Sequence, residues 1–458
     1  MLFIVFFLIP LVTNLYFFAQ SLSPSSLLDA GAAAESASSS SQVYFPPSTI
    51  LCNDTNPSLL PPPSSSSSSS SLHPNNTTDK RNHDDEDDDR TMLSTKIIMS
   101  NHSWSLAVRQ SWDSLKMQRH TNRKAILQQT ISYAVPKKDN QRIKPDEDVT
   151  LLSHVSTNKL DSLVRQVLRW KGPVSAAIYI CSDADVEEFI TVVTNHWDHA
   201  FFRTTFHIFF ETPPASRGYP YNILRNIALQ YMETDYFLAL DSDFVTMPDG
   251  HDRLVGYLAN KQIKAMLQSK TIMVLPAFEH TIHAIMHNVS TIPESKEQVI
   301  QQVQDNISAP FQLEKFFPSH GPTNFSHWLS IPSPTPINAT TTKTKTTTTS
   351  TTTTTNNDLT YPITYIARFE PYVLGYKPGI PNYWPTFRGY HFDKISWFAE
   401  MRFMGYQFVV LDQDFVFHVG KSTSTPTHKK LQFVYGLWGQ FKNYLASRYQ
   451  APIDEKYW

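Results

Sequence analysis

Two carboxylates one residue apart, Asp241 and Asp243, flank Ser242 directly after the apolar run Tyr-Phe-Leu-Ala-Leu at 236–240. Such a run reads as a buried strand, and in extended chain the i, i+2 spacing puts both carboxylates on one side. Open α/β sheets bind ligands at the carboxyl ends of their strands. Hard oxygen donors placed there suit Mn2+ or Mg2+, ions that also take phosphate oxygens. The bland alternative is an Asp pair that caps the next turn. A second cluster lies near the C-terminus, where apolar 408–411 and 415–417 lead into His418-Val-Gly-Lys421. There an imidazole can serve as third metal ligand and an ammonium can neutralise phosphate, although a lone His is often structural.

These groups need a scaffold, and the preceding sequence supplies its pattern. Leu160, Leu163, Val164, Val167 and Leu168 fall at helical spacing. The run 176–180 reads as a strand, and Asp183 can cap a helix carrying Val186, Phe189, Ile190 and Val193. A strand at 206–210 follows, then a helix through Ile223, Leu224, Ile227, Ala228 and Tyr231. The strand at 236–240 precedes another helix and a strand at 272–275. Strands alternating with helices predict an α/β fold with a mostly parallel central sheet.

The remainder of the 458 residues is largely unable to form a core. Residues 21–145 read as a stem, with a proline triplet at 61–63, serines at 64–71 and an acidic run at 84–89. A stalk helix is expected around 104–115. A Thr-rich block at 340–355 marks a surface insertion spanning 332–358. The folded domain is therefore expected over 146–450, its aromatic-rich end at 361–449.

Residues 1–20 are almost wholly apolar, which predicts a signal anchor in preference to a cleaved signal peptide. N-x-S/T triplets at Asn53, Asn75, Asn76, Asn101, Asn288, Asn306, Asn324 and Asn338 agree with entry into the secretory lumen. Cys52 and Cys181 are too few for a disulfide framework. Net charge is −2 with both signs mixed, so no basic field points to nucleic acid.

Eight blocks then appear in a particular order: 149–151, Lys171-Gly-Pro-Val, Tyr221-Asn-Ile-Leu-Arg-Asn-Ile-Ala, Leu240-Asp-Ser-Asp, Val274-Leu-Pro-Ala-Phe-Glu279, Phe369-Glu-Pro-Tyr-Val, Phe387-Arg-Gly-Tyr390 and 405–411. Together with Gly321-Pro-Thr-Asn-Phe-Ser-His-Trp328, this series resembles the LARGE-type glycosyltransferases of family 49 over residues 149–425. The resemblance implies a GT-A fold and an inverting, Mn2+-dependent reaction. It also implies a UDP-sugar donor, often UDP-glucuronate, and a glycan or glycoprotein acceptor. With the leader it implies a type II protein of the Golgi membrane, or of the ER, anchored through its N-terminus.

Carried onto this chain, the resemblance makes Asp241, Asp243 and His418 the metal ligands and brings Lys421 to the diphosphate. Asn222 and Arg225 would border the nucleotide pocket, with Ser242 beside them. The inverting route needs a carboxylate base. Glu279, Glu370, Asp393 and Glu400 are the candidates by the resemblance, with Glu279 or Asp393 slightly preferred. A glucuronate donor also needs a paired cation, for which Arg225, Arg368, Lys377, Arg388 and Lys394 are available. His391 and Asp393 stand where relatives usually show Gly and Asn. The resemblance covers one transferase domain, so alternating polymer synthesis by a single chain is not expected. A non-catalytic, glycan-binding descendant of the same fold is the alternative reading.

Overall fold

Apolar runs too short for helices form strands at the centre of the protein, and alternate residues along them face two separate cores. The computed structural model describes residues 97–98, 103–121, 127–134, 143–212, 218–333, 359–420 and 428–450. The strands in chain order are β1 (Ile97–Ile98), β2 (Leu127–Ala134), β3 (Val149–Ser156), β4 (Val174–Ile180), β5 (Thr204–Thr212), β6 (Tyr236–Ala239) and β7 (Phe244–Thr246). They continue as β8 (Thr271–Leu275), β9 (Ala277–His280), β10 (Ser308–Pro310), β11 (Thr360–Ile363), β12 (Tyr372–Tyr376), β13 (Gln407–Leu411) and β14 (Val416–His418).

Ten of them form a sheet in the order β1-β2-β5-β4-β3-β6-β12-β8-β13-β11. Its centre, β5-β4-β3-β6, is parallel. β12 then inserts antiparallel between β6 and β8, so the sheet is mixed. The α/β class expected from the sequence is the one observed. On one face Leu151, Ile178 and Leu238 meet the helices Leu160–Trp170 and Asp183–His196. On the other face Leu152, Ala177 and Phe237 meet the helices Tyr221–Tyr231 and Asp393–Phe403. A second sheet, β10-β9-β14-β7, stands beside the carboxyl end of β6.

Several strands escape the pattern reading, β3 and β12 among them. β3 is buried along nearly its whole length, yet Thr150, Ser153 and His154 interrupt its apolar residues. β12 is short, with Gly375 in its middle. The cap also differs, because Ser182 Oγ accepts from Asp185 N at 3.2 Å. Asp183 instead accepts from Trp112 Nε1 and Lys116 Nζ.

Those two bonds reflect a larger correction, since part of the expected stem belongs to the domain. The helix Ser103–Thr121 buries Trp104, Val108, Trp112 and Leu115 on one stripe of the main core. Its Trp104 stacks on Trp197 at 5.4 Å, and Arg109 forks onto Glu187 at 2.7 and 2.8 Å. β2 runs antiparallel to β5 over eight residue pairs. Polar side chains between the apolar ones conceal this i, i+4, i+8 stripe from a composition reading. Residues 1–96, including the expected anchor and the low-complexity stretch, lie outside the described residues.

A chain starting at residue 145 is accordingly expected to be poorly soluble. Four large buried side chains contribute about 6–12 kcal/mol as an upper bound, comparable with a domain's whole net stability of about 5–15 kcal/mol. A chain starting near residue 96 should melt cooperatively and at higher temperature. Equal melting of the two would show that the helix docks without contributing.

The insertion ends close on themselves. Gln413 Nε2 donates to the Pro332 carbonyl at 3.3 Å, and Asp412 N to the Leu359 carbonyl at 3.1 Å. Both ends therefore attach to one turn, while 334–358 lie outside the described residues. Deleting 340–355 should leave the melting temperature within about 2 °C, because loop shortening changes closure entropy only slowly. A drop several times larger would mean that the block packs on the domain.

Candidate active site

The β6–β7 connection places the two aspartates. Phe244 N donates to the Asp241 carbonyl at 3.0 Å, closing a turn rather than extending the strand. Gln166, buried on the helix Leu160–Trp170, clamps this turn by donating to the carbonyls of Asp241 and Phe244 at 2.9 and 2.8 Å. Ser242 is buried within it. The expected same-side pair is thus replaced by two carboxylates with different partners.

Asp241 is wrapped in cations. Its Oδ1 accepts from Arg225 Nη2 at 3.0 Å, and its Oδ2 accepts from Lys394 Nζ at 3.0 Å and Tyr372 Oη at 3.1 Å. Burial pushes this carboxyl up, but Lys394 and Arg225 outweigh it and hold Asp241 well below the usual carboxylate range. Arg225 also donates to Asp393 Oδ2 at 2.7 Å, and burial's tendency to lower it is reversed by Asp393 and Asp241. Asn222 Oδ1 accepts from Arg225 at 3.0 Å, while its amide donates to the carbonyls of Trp384 and Asp393 at 2.9 Å. Asn222 and Arg225 therefore tie their helix to the loop before Asp393.

Asp243 faces the second sheet. The register β14–β7 pairs His418 with Phe244, and β14–β9 pairs Phe417 with Phe278. His418 is thereby brought level with Glu279 and next to Asp243. His418 Nε2 stands 3.7 Å from Asp243 Oδ2, and His418 Nδ1 stands 4.0 Å from Glu279 Oε2. These separations are too long for hydrogen bonds. Neighbouring donors about 2.1 Å from one octahedral ion stand about 3.0 Å apart, so these groups would close in by at most about 1 Å around it. A Cβ on Gly420 would lie 2.8 Å from both Asp243 Cβ and His418 Nε2. Glycine keeps that gap open, and the donor set fits a small hard cation.

Among the described residues no group of three or more His, Cys, Asp or Glu is gathered closely enough to hold a metal. Asp241 is not brought together with Asp243 and His418 as the expected triad. Lys421 lies outside the described residues.

Residues 148–217 and 211–450 match the family described as glycosyl-transferase for dystroglycan. The chain belongs to glycosyltransferase family 49. It is 25% identical over 347 residues to the glycosyltransferase-like protein LARGE of Caenorhabditis elegans, covering 72% of this chain and 49% of that protein. It is 27% identical over 285 residues to the xylosyl- and glucuronyltransferase LARGE1 of Homo sapiens, covering 60% of this chain and 32% of that one. The chain thus spans about half the length of the first relative and a third of the second. A crystal structure of GalNAc-T7 with UDP, GalNAc and Mn2+ aligns with 77% of this chain and 60% of that one, at 11% identity and a TM-score of 0.33.

The family 49 site also sorts the base candidates. Asp393 is buried against Arg225. Glu279 Oε1 accepts from Gln312 N at 2.9 Å, bracing the chain after β10. Glu400 accepts from Tyr449 Oη at 3.2 Å on the far part of its helix. Glu370 makes no side-chain hydrogen bond among the described residues. Burial pushes its carboxyl up to about 7, with Lys394 pulling down and Asp393 and Asp241 pushing up. Hydrogen-bond partners thus set Glu279 and Asp393, the two slightly preferred from sequence, apart from Glu370.

The candidate donor cations separate in the same way. Arg388 forks onto buried Glu211 at 2.7 and 2.9 Å, and Lys377 donates to the carbonyls of Gln230 and Met232. Lys394 remains at the site, over the Tyr372 ring at 4.1 Å. Sequence reading missed His154, whose buried Nε2 has no hydrogen-bond partner and sits 3.6 Å from Asp241 Oδ1. Burial pushes this imidazole down, with Asp241 opposing. It shares a cavity of about 20 Å3 with Ser153, Arg225, Asp241 and Lys394, room for about one water.

Proposed function

We propose that this chain transfers a sugar from a UDP-sugar, with glucuronate favoured, to a glycan or glycoprotein acceptor by an inverting displacement. The observation that carries the reading is the pairing of Asp243 and His418 across the gap that Gly420 leaves open, in a member of family 49. These two residues would hold Mn2+ or Mg2+, with Asp241 held in place beside them by its cations. A bound divalent ion supplies Lewis-acid stabilisation of the diphosphate leaving group.

The chain's own residues account for the rest. Glu370, its carboxyl close to neutrality, takes the proton from the acceptor hydroxyl as that oxygen bonds to the sugar's anomeric carbon. The bond from that carbon to the diphosphate breaks on the opposite side, and UDP leaves. Lys394 and Lys421 provide positive charge for the diphosphate or for a glucuronate carboxylate. The N-terminal apolar segment fits a Golgi or ER membrane anchor with the domain in the lumen.

The test is UDP release from purified protein with Mn2+ across a panel of UDP-sugars. Turnover of UDP-glucuronate supports the reading, whereas turnover of a neutral UDP-hexose alone refutes the donor assignment. A second reading, glycan binding without transfer, draws on Asp241, whose oxygens are both taken by cations. Glycan binding with no UDP release would establish it.

A further inference from the structure

Between Phe387 and Lys394 the chain is held to the domain at almost every residue. Arg388 forks onto buried Glu211, and Gly389 N donates to the Tyr219 carbonyl at 2.9 Å. Phe392 stacks on Trp438 with ring centroids 4.5 Å apart and planes 11° from parallel. Asp393 is locked by Arg225. The backbone at His391 and Phe392 is left-handed, with φ of 89° and 57°. Non-glycine residues persist there only where the surroundings over-determine them, and such strain gathers at ligand sites.

One side chain in this segment escapes burial. Tyr390 is 64% exposed, while its neighbours from Phe387 to Lys394 are buried or half-buried. Its hydroxyl is pushed up first by partial burial and then by the carboxylates of Glu370, Asp393, Asp241 and Asp243. Three and four residues further on, Asp393 and Lys394 bond Arg225 and Asp241, so Tyr390 stands at the edge of the same site. An open ring on a firmly held backbone is the reverse of what folding requires of an aromatic, because it leaves apolar area in water.

We propose that Tyr390 is the platform on which the ring of the acceptor sugar stacks, so that its hydroxyl is presented to Glu370. The inference rests on the transfer reading above and adds the acceptor subsite to it. A pyranose offers an apolar face of C–H groups that carry partial positive charge. The negative face of a tyrosine ring complements them. Holding the backbone beforehand means that no loop has to be ordered when the acceptor binds. The left-handed bend at His391 and Phe392 turns the chain so that Tyr390 projects while Asp393 and Lys394 reach inward.

The experiment compares Y390A and Y390F in transfer to a panel of methyl glycosides, and in UDP-sugar hydrolysis without acceptor. Y390A should raise the acceptor KM about tenfold, leaving donor KM, hydrolysis and melting temperature near wild type. Y390F keeps the ring and should stay within about twofold of wild type. Unchanged acceptor KM in Y390A overturns the proposal, and so does Y390F failing as badly as Y390A. Hydrolysis falling in parallel with transfer would also overturn it, since that marks a donor role. If wild-type protein turns over no UDP-sugar, the transfer reading fails instead. The platform is then read by binding to a glycan array, which Y390A must lose.

Discussion

Asp243→Ala is expected to lower kcat/KM at least about 1000-fold, because several kcal/mol of leaving-group stabilisation depend on the metal it would hold. Its melting temperature should stay within about 2 °C of wild type. The side chain is 28% exposed and its nearest ionic partner, His418, is 3.7 Å away, so folding relies on it little. Mn2+ affinity, read by titration calorimetry, should fall in step with activity. His418→Ala should act in the same direction but less completely, since a neutral imidazole brings a lone pair and no charge. The double variant should lose much less than the sum of the two, because one lost ion cannot be lost twice. Gly420→Ala removes no donor atom, yet its methyl would enter the gap and should also weaken Mn2+.

Asp241→Ala makes the informative contrast. Removing this carboxylate strands Arg225 and Lys394, both largely buried, without their shared partner. Breaking a buried pair on one side costs about 3–5 kcal/mol. Asp241→Ala should therefore lose stability as well as activity, and Asp241→Asn is the gentler probe. Wild-type activity in EDTA, or in His418→Ala, would sink the metal assignment.

How much of this was readable beforehand differs by residue, for physical reasons. Asp241 and Asp243 were visible because an apolar strand runs straight into them, and that strand is β6. Their divergence was not visible, because Gln166, 75 residues from Asp241, makes the turn. A clue existed, since Gln166 is a polar residue between Leu163 and Val167 on a buried helix face. His418 stands out in the local sequence, but its register against Glu279 depends on three strands far apart in the chain. The helix Ser103–Thr121 was misassigned because its apolar stripe is diluted by polar neighbours and becomes meaningful only against Phe189 and Trp197. Among the carboxylates, residue type made Glu279, Glu370 and Asp393 equal. Only their hydrogen-bond partners distinguish them.

Glu370→Gln carries the second large effect. Removing a general base from a displacement typically costs about 100- to 10,000-fold in rate, and the loss should fall on kcat while donor affinity stays near wild type. The pH dependence gives an independent sign. Burial raises Glu370 to about 7, so the ionised form that accepts a proton accumulates as pH rises through that value. Wild-type activity should climb between about pH 6 and 8, and the variant's residual activity should lack that limb. Stability should move the other way. With the folded carboxyl above its unfolded value, the native state binds more protons between about pH 4.5 and 7, so stability declines as pH rises across that window. Above it the ionised, buried carboxylate is a standing cost, which glutamine at the same position removes. Glu370→Gln should therefore melt at or above wild type at pH 8 while transferring far less sugar. A pH–rate profile unchanged in the variant, or a variant less stable than wild type at pH 8, would assign the proton to another group and leave Glu370 as a brace for the turn before β12.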